Sequence, residues 1–166
     1  MTGTRGEVIV MGLDPGLAAL GYGVIATDTI QSRFIECGAL TTPASEPLAQ
    51  RLRTIFDELS ALADKHKPDF VAVETLYFAK NTKTAIVVAQ ARGAALAALA
   101  DGRAEVRDIT PLQIKQALTG YGRAEKYQIQ IMVKTILGLN DIPRPDHAAD
   151  ALAAALACAH SLKRRR

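Results

Sequence analysis

The sequence predicts an α/β fold: a five-stranded mixed sheet, three antiparallel strands followed by two parallel ones, with helices on both faces. Two patterns carry that prediction. Three β-rich stretches come in succession before residue 42, joined by short turns, as in an antiparallel meander. After them helical and strand patterns alternate, and such crossovers add parallel strands with a helix layer on each side of the sheet.

Residues 8–13 (VIVMGL) are an unbroken run of apolar and β-branched side chains, a buried strand that Asp14 closes. Pro15-Gly16 turns the chain, because proline fixes φ and glycine accepts positive φ. Residues 21–25 (GYGVI) resume an extended pattern, and 33–40 (RFIECGAL) supply the third strand. Beyond the polar, proline-containing stretch 41–47, Leu48, Leu52, Ile55, Leu59 and Leu62 recur at helical spacing and form one apolar stripe. Lys65, His66, Lys67 and Pro68 end that helix. Residues 70–73 (FVAV) are a short buried strand, with Glu74 directly after it. A second helix covers 82–100 and a fifth strand 105–109. Thr110-Pro111 opens a third helix with a hydroxyl cap and a proline in the first turn, and Gly120 and Gly122 interrupt it. Ile129, Met132, Val133, Ile136 and Leu137 mark another helical face. Pro143 and Pro145 break the chain once more, and 146–162 is an alanine-rich final helix. No linker or repeat divides the chain, so 1–162 reads as one domain and 163–166 as a basic tail.

With 166 residues, 49% of them apolar, the chain can bury a core and is not of the disordered class. No apolar run reaches the roughly 18 residues a membrane span needs; the nearest, 86–99, is broken by Gln90 and Arg92. The N-terminus lacks the pattern of a signal peptide. Cys37 and Cys158 lie among apolar neighbours without metal spacing and fit reduced, buried thiols. Together these features lead us to expect a cytoplasmic protein with no membrane partner. The formal charge is +3, but Lys163, Arg164, Arg165 and Arg166 carry four positive charges, leaving the body near −1. A second basic bias runs from Arg103 to Lys134, suited to phosphates and equally to ordinary solvated helix faces.

Three places carry candidate chemistry. Asp14 ends a buried strand; on this segment alone it fits a turn-opening acid as well as a functional one. Glu74 also ends a buried strand, where a carboxylate is costly unless solvated, paired or metal-bound. If both strands are parallel members of one sheet, both acids sit at the carboxyl ends where such sheets place their sites. The third place is PDHAADALAAAL at 145–156. On a helix His147 and Asp150 are i, i+3, and Asp146 and Asp150 are i, i+4, so they share a face. The alanines around them let a helix backbone approach a sheet closely. Asp146, at the helix start, is also placed to cap it.

These residues resemble the RuvC family of bacterial Holliday-junction resolvases, within the RNase H-like nucleases. The resemblance spans nearly the whole chain, through GLDPGLAALGYGVI, VETLYFAKNTKTAIVVAQARGA, QIKQALTGYGRAEKYQIQ and PDHAADALAAAL. It implies an RNase H-like fold and a crossover-junction endodeoxyribonuclease that resolves four-way DNA junctions by paired symmetric nicks. It further implies Asp14, Glu74, His147 and Asp150 as catalytic metal ligands, with His147 where some members carry aspartate. Asp146 falls off that alignment and is left as a supporting acid or cap. Lys115 and Lys126 match basic positions near the cleaved phosphate, Arg123 lies in the same glycine-flanked turn, and Tyr77, with Phe78 beside it, matches an aromatic that meets junction bases. Implied partners are junction DNA, a second copy of the chain through the apolar stretch 86–99, and the RuvA–RuvB branch-migration complex. Burial of that stretch within one copy is the alternative. Rival readings are a junction-binding module without catalysis, a related nuclease acting on another nucleic acid, and an actin-like ATPase, for which 166 residues are too few.

The implied chemistry suits the residue types. Two divalent cations about 3.5–4 Å apart can serve the attacking and leaving oxygens of a phosphodiester hydrolysis. Mg²⁺ favours carboxylate oxygens, whereas an imidazole ligand suits Mn²⁺ as well and must be neutral to bind. Mn²⁺ is therefore expected to support activity at least as well as Mg²⁺. Activity is expected to fall as pH drops through about 6 to 7, where free imidazole titrates. An acid limb of the pH–rate profile that stays put in a His147→Asp variant would reject the imidazole as its cause.

Overall fold

A computed structural model of the chain describes residues 6–28, 30–75, 81–100 and 103–163. The elements are β1 (Val8–Asp14), β2 (Ala19–Thr27), β3 (Ser32–Thr41), α1 (Leu48–His66), β4 (Phe70–Glu74), α2 (Thr82–Ala98), β5 (Glu105–Ile109), α3 (Pro111–Thr119), α4 (Lys126–Ile136) and α5 (Asp146–Lys163). The strands form one sheet in the order β3-β2-β1-β4-β5. The pairs β1–β2 and β2–β3 are antiparallel, and β1–β4 and β4–β5 are parallel, as the order of elements predicts. β1 is thus the middle strand, hydrogen-bonded on both edges.

Successive strand residues point to opposite faces of a sheet, and here the two faces have different covers. Met11, Leu13, Val24, Val71 and Val73 pack under Ile55 and Leu59 of α1 and Ala91 and Ala95 of α2. Val10, Ile25 and Ala72 face the other way, against α5 with α3 and α4 beside it. Asp14 and Glu74 share the parity of Val10 and Ala72, so both belong to the α5 face. The pairing of Leu13 with Val73 brings the following residues, Asp14 and Glu74, to the same level of adjacent strands.

The α5 face has almost no side chains beneath the first turns of its helix. Gly12 pairs with Gly23, and Asp14 with Gly21, across β1 and β2. A Cβ on Gly12 would overlap the Ala151 carbonyl oxygen, and one on Gly21 would overlap the carbonyl of His147. Alanines on α5 complete the fit: Ala148, Ala149, Ala151, Ala154 and Ala155 are all buried. Helix backbone therefore lies almost on strand backbone, and this sets the height of His147 over Asp14.

Local signals account for most boundaries. Asn81 Oδ1 accepts from the backbone N–H groups of Lys83 and Thr84 and starts α2. Thr110 and Gln113 cap each other's backbone at the head of α3. α4 begins three residues before Ile129 because the Gln128 side chain reaches back to the Glu125 N–H at 2.7 Å. β2 begins at Ala19 rather than at Gly21, since Ala19 pairs with Thr41 through the backbone and needs no apolar side chain to do so. One expectation is corrected: Cys158 is buried, but Cys37 is only half-buried because β3 is an edge strand. Among the described residues no helix is long and apolar enough to cross a membrane.

Two glycine substitutions test this packing. Gly12→Ala drives a methyl into backbone that cannot swing aside, and is expected to lower unfolding free energy by about 2 kcal/mol or more. Gly21→Ala pushes on the His147 carbonyl and is expected to impair divalent-ion binding more than its loss of stability explains. Denaturant melts with an ion titration distinguish the two effects.

Candidate metal centre

Asp14, His147 and Asp150 come from opposite ends of the chain and converge. One ligand atom from each lies within 4.8 Å of the others. His147 Nδ1 and Asp14 Oδ2 are 2.8 Å apart, a hydrogen bond in which the ring N–H donates to the carboxylate. The middle strand supplies Asp14, and the first two turns of α5 supply the imidazole and the second acid. Glu74 stands outside this tight group. It lines an adjoining cavity of 260 Å³ together with Lys115, Lys126 and Asp150, over an apolar floor that includes Ile114, Ile129 and Ala153.

The electrostatics show acids crowded with too little positive charge. Burial raises the Asp14 pKa; the His147 hydrogen bond opposes that, and the Asp150 carboxylate adds to it. Glu74 is pushed up to about 7, first by burial and then by repulsion from Asp14 and Asp150. Lys126 partly answers this charge. Its Nζ is 3.1 Å from Asp150 Oδ2 and 3.7 Å from Asp146 Oδ2. Burial works against its ammonium, but Asp150, then Asp146 and Asp14, hold its pKa above the ordinary lysine value.

The loop after Asp14 is anchored from behind. The Thr42 N–H donates to the Ala18 carbonyl at 3.1 Å, and the Thr42 hydroxyl donates to that of Leu17. Arg51 Nε in turn donates to the Thr42 hydroxyl at 2.9 Å.

Of the residues expected to meet DNA, Lys115 lines the cavity beside Glu74, and Lys126 reaches the acids themselves. Arg123 is exposed in the turn between α3 and α4. Tyr77 and Phe78 lie outside the described residues. Sequence reasoning did not single out Arg144, whose Nη1 is 2.7 Å from Asp146 Oδ1. The signal for it in the sequence is an opposite charge two residues away, in Arg144-Pro145-Asp146.

A five-stranded sheet of this order with helices on both faces has the RNase H-like fold, and acids gathered at the end of its middle strand are what the nucleases of that class carry. Known proteins narrow the class. The family model described as "Crossover junction endodeoxyribonuclease RuvC" matches residues 10–160. The protein of that name from Alkaliphilus oremlandii is 47% identical over 154 residues, covering 93% of this chain and 94% of that protein. The solved Thermus thermophilus RuvC structure superposes with a TM-score of 0.88 at 36% identity, covering 95% of this chain and 96% of the other. A second structure, T. thermophilus RuvC in complex with Holliday junction substrate, gives 0.91 at the same identity and coverage. The chain belongs to the RuvC family. Nucleases of this family use divalent metal, and the donor set here fits such an ion. The acids carry more negative charge than Lys126 offsets, and carboxylate with imidazole suits hard to borderline cations.

The Glu74 shift has a stability consequence. The folded carboxyl keeps its proton to about 7, whereas an unperturbed one releases it near 4.5. Between these values the folded state binds more protons, so this group makes stability fall as pH rises. The ion-free protein is expected to lose Tm between about pH 5 and pH 8, and Glu74→Gln to lose less. Added divalent ion is expected to restore Tm chiefly at the alkaline end, as read by scanning calorimetry.

Proposed function

We propose that this chain is a Holliday-junction resolvase that cuts by metal-dependent phosphodiester hydrolysis, with Asp14, Glu74, His147 and Asp150 holding the ions. The observation that carries this reading is the convergence of Asp14 with His147 and Asp150 beside a cavity that also meets Glu74 and two lysines. A binding module has no need of such crowded acids, which cost stability where they stand.

In this reading Mg²⁺ or Mn²⁺, two per chain, would supply positive charge for the attacking water and for the leaving oxygen. Asp14, whose carboxylate lies in one cluster of donor atoms with His147 and Asp150, would be the acid that holds an ion together with them. Glu74, on the cavity wall beside Asp150, would hold an ion and, as a carboxylate, orient the attacking water by accepting a hydrogen bond from it. His147 would ligate through a ring nitrogen that carries no proton. Lys115 and Lys126 at the cavity wall offer ammonium groups to the phosphate oxygens. Arg123, Tyr77 and Phe78 extend the DNA contact, the aromatics by stacking on unpaired bases.

Two copies of the chain would present two equivalent sites to a nearly two-fold junction. What supports this is α2, where the sequence left burial within one copy open. Among the described residues only one side of that helix is covered: Ala91, Ala95 and Leu99 face the core, whereas Ile86 is 56% exposed, and Ala89, Gly93 and Ala97 are exposed on the same stripe. The RuvA–RuvB branch-migration complex is the machinery that this reading makes its partner, in the cytoplasm.

The test is a synthetic four-way junction with Mg²⁺ or Mn²⁺, scored for symmetric nicks against a linear duplex. Asp14→Asn is expected to cut cleavage at least about a hundredfold while junction affinity stays within a few-fold. Loss of binding along with cleavage, or equal cutting of the linear duplex, would refute the assignment.

A further inference from the structure

Asp146 is the one acid at this site that the reaction described above does not use. It is the first residue of α5 and lies one helical turn before Asp150. Its carboxylate is not spent on the helix. Oδ1 takes the Arg144 guanidinium at 2.7 Å, and Oδ2 faces Lys126 Nζ at 3.7 Å. The same ammonium lies 3.1 Å from Asp150 Oδ2. Lys126 therefore stands between two acids on one helix, nearer to the one proposed to hold an ion.

Lys126 Nζ lies on Asp150 Oδ2, so an ammonium and a divalent cation compete for the charge of one carboxylate, and their like charges repel. An ion held by Asp150 therefore weakens its pair with Lys126 and favours a move of the ammonium toward Asp146. We propose that Asp146 is a positioning residue for Lys126: it receives the lysine when Asp150 is taken by the ion, and so keeps the ammonium at the mouth of the cavity shared with Lys115. Arg144 holds one oxygen of Asp146 and leaves the other turned toward the lysine. Both groups are about half exposed, with side-chain exposures of 56% for Lys126 and 47% for Asp146. Ion pairs at such exposure are weak, which is what a handover between two stations requires. Asp146 touches no reacting atom in this account; it acts through Lys126. The inference rests on the reading of Asp150 as an ion ligand.

The test is Mn²⁺ binding by the full-length protein without DNA, followed by electron paramagnetic resonance. The variants are Asp146→Asn, Lys126→Met, the two combined, and Asp146→Glu, each with its Tm recorded. Lys126→Met removes the competing ammonium and is expected to tighten Mn²⁺ binding. Asp146→Asn leaves the lysine no second station and is expected to weaken binding about two- to fivefold. With Lys126 already methionine, Asp146→Asn is expected to change nothing, and Asp146→Glu to bind as the unaltered chain does. Equal weakening by Asp146→Asn in both backgrounds would make Asp146 a ligand or a plain nearby charge and would overturn the proposal. So would unchanged binding in the single variant. Should Asp146→Asn fail to fold, Arg144→Gln replaces it in the same cycle, with a smaller weakening expected only where Lys126 is present. Mn²⁺ binding that survives Asp150→Asn intact would refute the ion site itself, an outcome separate from additivity in the cycle.

Discussion

The near-contact between the backbone of α5 and the backbones of β1 and β2 governs this molecule. A helix on an ordinary sheet rides on a layer of side chains on both elements. Here Gly12, Gly21 and Gly23 remove that layer from the strands, and the buried alanines thin it on the helix. A donor at the end of the middle strand and donors in the first turns of α5 can then share one small space. With ordinary side chains at those glycines the helix would rise, and His147 could not reach Asp14 at 2.8 Å.

Bringing the donors together creates an electrostatic debt. Burial first, and then repulsion from Asp14 and Asp150, push the Glu74 carboxyl up so that it holds its proton to about 7. The packing of the apolar faces bears that cost. Extensive burial on both sides of the sheet provides the surplus, with Val10, Met11, Leu13, Val71 and Val73 fully enclosed around the two strands that carry Asp14 and Glu74. Lys126 returns part of the missing positive charge from α4, a helix that contributes no acid. The same ammonium thus ties α4 to the first turns of α5, joining two helices through charge as well as through apolar contact.

Much of this was legible in the sequence, because much of it is local. Apolar runs closed by an acid mark strand ends, and Asp14 and Glu74 stand where those runs stop. The i, i+3 spacing of His147 and Asp150 puts them on one side of α5 whatever the rest of the fold does. What stayed hidden depends on partners distant in the chain. Gly12 reads as an unremarkable member of an apolar run until Ala151 is laid on it. The Lys126 contacts with Asp146 and Asp150 join residues that no local pattern connects. The apolar stretch 86–99 has no polar side to orient it, so only the folded sheet shows that Ala91 and Ala95 turn inward and Ile86 outward. Cys37 looked enclosed for a similar reason: its apolar neighbours are visible in sequence, and its position on the outermost strand is not.

The opposite parities of the two sheet faces have a practical meaning. Even-numbered β1 residues look toward the acids, and odd-numbered ones toward α1 and α2, so the sheet is a partition between two departments of the protein. A small molecule wedged against Ile86 would occupy the α2 side of the sheet and leave the cavity beside Glu74 physically untouched, and one seated in that cavity would do the reverse. Substitutions on one cover leave the other intact, and a lineage can explore the two independently.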